Sequence, residues 1–142
     1  MSLSAVIKDI SENWLDYRNH CLDKSKTGAV IRKVKEDHKI YDLVTSSWKD
    51  LISENVNEKK YLVDSSLGKG LLSAAPWLTV MDRSVTDSAT EGFYVVYLFS
   101  RSAKKLYLAI GIGATQFQDI YGMTKLALEK IDEANKKFFE LF

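Results

Sequence analysis

Residues 93–99 read Phe-Tyr-Val-Val-Tyr-Leu-Phe, seven apolar or aromatic side chains in unbroken succession. Aromatic and β-branched residues in so short a run favour an extended strand, and the absence of polar alternation predicts a strand buried on both faces. Such a strand needs partners. The polar turn Ser100–Lys104 leads into Leu106-Tyr107-Leu108-Ala109-Ile110-Gly111-Ile112-Gly113, so an antiparallel hairpin is the expected pairing. Upstream, Tyr61-Leu62-Val63 reads as a short strand, and the segment to Met81 as another, opened by Pro76-Trp77. Proline is tolerated there because the first strand residue can forgo its N–H.

The last of these strands is asymmetric. Leu106, Leu108, Ile110 and Ile112 project to one face, whereas Tyr107, Ala109, Gly111 and Gly113 project to the other and taper from a ring to no side chain. Something is expected to approach the backbone closely there, either a packed helix or a ligand or phosphate-contacting loop.

Helical periodicity flanks the strands. Leu3, Val6, Ile7, Ile10, Trp14, Tyr17 and Cys21 recur at three- and four-residue steps opposite Lys8, Glu12, Asp16 and Asn19, which predicts an amphipathic helix with Ser4 as N-cap. After a polar stretch ending in Gly28, a second pattern runs through Val30, Ile31, Val34, Tyr41, Val44, Trp48, Leu51 and Ile52, a helix interrupted near His38 and Lys39. Met123, Ala127, Ile131, Ala134, Phe138, Leu141 and Phe142 mark a closing helix. The expected fold is α+β: one domain over residues 1–142, an antiparallel-rich curved sheet of about four strands, two N-terminal helices and one C-terminal helix.

Composition narrows the function. No apolar run approaches the roughly 18 to 20 residues that span a bilayer, and Lys8, Asp9 and Glu12 break the first apolar stretch, so a cytoplasmic protein without a membrane partner is expected. One cysteine, Cys21, and two histidines, His20 and His38, supply neither a disulfide nor a zinc set. Twenty Lys and Arg against 19 Asp and Glu leave a net charge of +1, which excludes a strongly basic, charge-driven nucleic-acid binder. Any nucleic-acid role must be local.

Enzyme signatures fail one by one. Gly68-Lys69-Gly70 lacks the upstream glycine of a P-loop, because Val63 stands there, and Pro76-Trp77 follows where a helix should begin. Glu58-Lys59-Lys60 has the acidic-x-lysine shape of metal-dependent nucleases but finds only Asp50 and Asp64 as further carboxylates. His20 and Cys21 are adjacent on a helix and point about 100° apart, so they make no nucleophile and base pair. No catalytic residue, metal or cofactor is expected. What remains is an aromatic and glycine constellation: Gly68-Lys69-Gly70, Pro76-Trp77, Gly92-Phe93-Tyr94, Leu98 and Gly111-Ile112-Gly113. It would suit a flat apolar ligand, with rings to stack on and glycines that let backbone N–H groups reach a phosphate or a base edge. The same aromatic residues on strands would equally serve a core.

In order along residues 61–117, the G-x-G loop, the proline-tryptophan pair, the strand Glu91-Gly92-Phe93-Tyr94-Val95-Val96-Tyr97-Leu98-Phe99 and the strand Leu106–Gly113 resemble the N-terminal DNA-recognition domain of McrB-type, modified-cytosine-dependent restriction systems. The resemblance implies a binding module, not an enzyme, that engages duplex DNA and extrudes a modified cytosine into a pocket lined by Trp77, Tyr94 and Leu98. It also implies a GTPase motor and a nuclease in other domains or subunits, so that this chain is an excised domain or a stand-alone relative. The apolar ending at Phe138, Phe139, Leu141 and Phe142 fits a docking surface or truncation. One position departs from the pattern. Where the family carries an aromatic residue that fills the gap left by the base, this chain has Lys69, which cannot stack. Between residues 65 and 115 five cations face three anions. Lys69 with Gly68 and Gly70, and Arg83, Arg101, Lys104 and Lys105, are the expected DNA-backbone contacts. The alternative is a protein-interaction or scaffolding domain whose aromatic residues are purely core.

Overall fold

The computed structural model describes residues 1–141. Helix α1, Leu3–His20, buries Val6, Ile10, Trp14 and Tyr17 at helical spacing. Its cap is Ser2, whose Oγ accepts from the Ala5 N–H at 3.2 Å, two residues earlier than the expected Ser4. Strands β1, Leu22–Lys24, and β2, Val30–Arg32, then form an antiparallel hairpin where the apolar spacing had pointed to helix. Gly28, at a φ of 84°, turns the chain, and Val30 lies 70 % exposed instead of on a buried helical stripe.

The second helical segment begins at the expected interruption. His38 caps α2, Lys39–Asp42, by accepting from the Ile40 N–H through its ring at 3.2 Å. A π-helical stretch, Leu43–Trp48, joins α2 to α3, Lys49–Ser53. Its wider turn keeps Leu43, Val44 and Trp48 all buried.

The main sheet contains β3 Tyr61–Ser66, β4 Trp77–Asp82, β5 Phe93–Phe99 and β6 Leu106–Ile112, antiparallel throughout and neighbours in chain order. Its inner face packs Val63, Leu78 and Phe99, flanked by Val80, Tyr97 and Leu106, against α1 and the α2–α3 segment. Trp48 meets Phe99 edge-on at 5.4 Å. Strand β5 is not buried on both faces. Phe93 is 43 % and Leu98 42 % exposed, because the helical layer covers the sheet from one side and mostly at one end. An apolar run therefore marked a central strand here without marking its burial.

The chain closes with α4, Thr115–Tyr121, which no pattern announced, and α5, Lys125–Glu140, capped by Thr124. Met123 lies 85 % exposed before α5 and Ala127 is buried within it, while Phe138 stacks against Phe93 at 4.9 Å. Phe142, read as part of this helix, lies outside the described residues. The fold class is α+β as expected, with two additions to the helix-and-strand inventory: the β1–β2 hairpin and α4.

Candidate nucleic-acid interface

The strand register decides which aromatic residues meet. Trp77 lies opposite Leu98, and Leu98 opposite Tyr107, so the three form one row across β4, β5 and β6 on the outer face of the sheet. Trp77 is half-buried, whereas Leu98 is 42 % and Tyr107 50 % exposed. The next row is Thr79, Val96 and Ala109; Thr79 is buried and its Oγ1 donates to the Asp64 carbonyl at 3.4 Å. Of the three residues expected to line a pocket, Trp77 and Leu98 are thus direct partners. Tyr94 shares their face but lies beyond Val96, about 13 Å along β5 from Leu98. The sequence marks Tyr107 only as the wide end of a taper: the short turn predicts the β5–β6 hairpin, but the register that sets Tyr107 beside Leu98 is not read from it.

Tyr94 has an architectural task. Its ring lies over Gly111, where an added Cβ would come within 2.5 Å of the ring, and its hydroxyl donates to the Ala89 carbonyl at 2.9 Å. Burial raises its phenol pKa. A Cβ on Gly113 would meet the Glu91 amide nitrogen at 2.2 Å. Gly111 in β6 and Gly113 just after it therefore make room for a ring from the adjacent strand and for the 82–92 loop, not for a helix or a ligand. The loop is further tied down by Gln116, whose Oε1 accepts from the Gly92 N–H and whose own N–H donates to the Thr90 carbonyl.

At the Trp77 end the G-x-G loop is stitched to β2. The Val34 N–H donates to the Gly70 carbonyl at 2.8 Å, the Leu72 N–H to the Arg32 carbonyl at 2.9 Å, and the Ser73 N–H to the Leu67 carbonyl at 2.7 Å. Gly68, at a φ of 111°, packs so closely that a Cβ would stand 2.1 Å from the Leu71 carbonyl oxygen. Gly70, at a φ of 74°, completes the reversal and leaves Lys69 exposed at its tip. Beside the loop lies a polar cleft of about 350 Å³ with Glu36, Tyr41, Thr45 and Ser66 on its walls.

The 100–105 turn lies at the same end of the sheet, because Trp77 pairs with Leu98 and Leu106 with Phe99. It is docked on α1: the Trp14 indole Nε1 donates to the Arg101 carbonyl at 2.9 Å, and Lys104 Nζ to the Ser11 carbonyl at 3.3 Å. Arg101, Lys104 and Lys105 thus join Lys69 at one end. Arg83 does not. It follows the far end of β4, a strand of six residues and so about 17 to 20 Å away, and its Nε donates to the Glu58 carbonyl.

Two cations overlooked in the sequence complete this end. Arg18 on α1 donates from Nη1 to the Ala74 carbonyl at 3.1 Å, and Arg32 on β2 donates from Nε to the Arg18 carbonyl at 3.1 Å. Burial, then the neighbouring Arg32 and Arg101 guanidinium groups, lower the pKa of Arg18. Among the described residues none of Arg18, Arg32, Lys69, Arg101, Lys104 and Lys105 forms an ion pair. They lie outside, or scattered through, the stretch of sequence that carries the motifs, and folding gathers them.

The Glu58 and Lys60 pair is not assembled into a metal centre. Lys60 Nζ sits 5.0 Å over the Tyr61 ring, and no group of three or more His, Cys, Asp or Glu among the described residues is placed to hold a metal ion. His20 and His38 instead meet Asp37 and Asp16, at 2.8 Å and 3.1 Å. Nor is any helix among the described residues long and apolar enough to cross a membrane.

An α+β domain with a partly exposed aromatic row on the outer face of its sheet and cations gathered at the same end of the sheet is the class these features define. The chain belongs to the MrcB-like, N-terminal domain family, whose model matches residues 10–140. No curated protein and no solved structure matches it. The match takes in α5 and most of α1 as well as the motif-bearing strands, and it agrees with the resemblance to McrB-type N-terminal modules read from residues 61–117.

Proposed function

We propose that this domain is the DNA-recognition module of a modification-dependent restriction or phage-defence system, and that it seats a modified cytosine, turned out of the duplex, against the Trp77, Leu98 and Tyr107 row. The observation that carries the proposal is that row itself: two rings and an aliphatic side chain aligned on the outer face, beside the ion-pair-free Lys69, Arg101, Lys104 and Lys105. Stacking on an aromatic face contributes about 1 to 3 kcal/mol, comparable with the few kcal/mol that unstacking a base costs. Backbone contacts from the cationic end supply the remainder. Tyr94 acts as the pin of the 82–92 loop and closes the far end of the site. In this proposal the chain binds and does not hydrolyse; the motor and nuclease are separate domains or subunits.

A gel-shift comparison of duplexes with cytosine, 5-methylcytosine and 5-hydroxymethylcytosine tests it, with a fluorescent base analogue to report extrusion. Trp77→Ala and Tyr107→Ala are expected to erase the preference for a modified duplex while the thermal melt stays near wild type. Failure to bind any duplex at low salt would remove the proposal.

A second reading has its own observation. The inner face leaves an apolar cleft of about 440 Å³ between Ile52, Val56, Tyr61, Tyr97 and Leu108, and Leu108 is 64 % exposed. A protein-docking domain would use that cleft, and substitution of Leu108 by Asp would then abolish assembly with a partner while sparing DNA binding.

A further inference from the structure

Arg18, Arg32 and Arg101 come from α1, β2 and the 100–105 turn, three elements far apart in the chain, yet they are tied into one cluster. Arg32 holds the Arg18 carbonyl, Arg18 holds the Ala74 carbonyl three residues before Trp77, and the Trp14 indole, which lies 6.0 Å from the Arg18 guanidinium carbon, holds the Arg101 carbonyl. These bonds consume one N–H of Arg18 and one of Arg32, and none from the Arg101 side chain. A guanidinium carries five N–H donors in a planar fork, so most of the cluster's donor capacity is unspent. The other two guanidinium groups act on Arg18 and lower its pKa, and among the described residues no carboxylate pairs with any of the three. Gathering two like charges around a partly buried third is unfavourable unless an anion joins them, and guanidinium forks match the oxygens of a phosphate bidentately.

We propose that Arg18, Arg32 and Arg101 form a phosphate-binding subsite that grips one phosphodiester of a DNA strand immediately beside Trp77. It rests on the DNA-binding proposal for the choice of a polymeric phosphate, while the anion chemistry stands on the cluster alone. A subsite of this kind fixes register and carries no base information. It would anchor the strand whose base is presented to the Trp77 row.

Arg32→Gln and Arg101→Gln test it, with fluorescence anisotropy on modified and unmodified duplexes across a salt series. Each variant is expected to weaken both duplexes equally, by about tenfold, and to make the slope of log K against log salt shallower by about 1. Arg101→Gln is the cleaner variant, since the turn is held through the Arg101 backbone, and a circular-dichroism melt confirms folding of both. Wild-type affinity and slope in Arg101→Gln would overturn the subsite. Should wild-type protein bind no duplex at all, inorganic pyrophosphate separates the two proposals. A rise in melting temperature with pyrophosphate that is lost in Arg101→Gln keeps an anion subsite and discards DNA, whereas no rise in wild type discards the subsite as well.

Discussion

Two tryptophans in the core differ by one hydrogen bond. Trp14 donates its indole N–H to the Arg101 carbonyl, whereas the Trp48 indole nitrogen is buried with no partner among the described residues. Replacing each by Phe removes similar volume, but only Trp14→Phe strands a carbonyl, so it is expected to cost about 1 kcal/mol more than Trp48→Phe in urea unfolding. Tyr94 offers a second residue-scale test. Its phenol is held neutral by burial, so its folded pKa lies above the unfolded value of about 10. Above that pH the unfolded chain loses the proton first, and stability falls as pH rises. Tyr94→Phe is expected to lose about 1 kcal/mol near neutrality, from the bond to Ala89, and to show a weaker fall in melting temperature at alkaline pH than wild type. An identical alkaline profile would show that Tyr94 does not carry that dependence.

Among the elements, those with a strong local pattern were legible and those built by tertiary pairing were not. Val6, Ile10, Trp14 and Tyr17 announced α1, and the unbroken apolar run announced β5. Val30 and Ile31 fitted a helical spacing, yet they became a strand because β1 and, through the bridge of Lys33 with Leu71, the G-x-G loop stood ready to pair with that segment. The same pairing moved Arg32 next to Arg18. Trp77 and Leu98 were legible as motif residues, but Tyr107 became a neighbour only through the β5–β6 register. The G-x-G loop also leaves no room for a side chain at Gly68. Gly68→Ala places a Cβ against the Leu71 carbonyl at a φ of 111° and is expected to cost at least about 2 kcal/mol. Gly28→Ala, at a φ of 84° with no atom within 4 Å, is expected to cost about 1 kcal/mol. Chemical denaturation of both ranks the loop against the hairpin turn.

For the molecule as a whole, a net charge of +1 sets the electrostatics. Long-range attraction to DNA is weak, so binding must come from the few cations gathered at the Trp77 end. With four to six phosphate contacts, log K is expected to fall with log salt at a slope of about −4 to −5. A slope near zero in anisotropy titrations would contradict the grouping of these cations into one interface. The bond from Trp14 to Arg101 joins residues 87 apart in sequence, and it has a consequence for how the chain is made. Helix α1 leaves the ribosome before β3, β4 and β5, and the turn that caps its tryptophan follows those three strands. Until that turn is made the Trp14 indole lacks its acceptor, so the seal between α1 and the β5–β6 end of the sheet is among the last contacts to form. Long-range closure of this kind makes folding slow relative to a helical bundle, and a fragment restricted to the motif-bearing strands would lack the helices that complete its inner face.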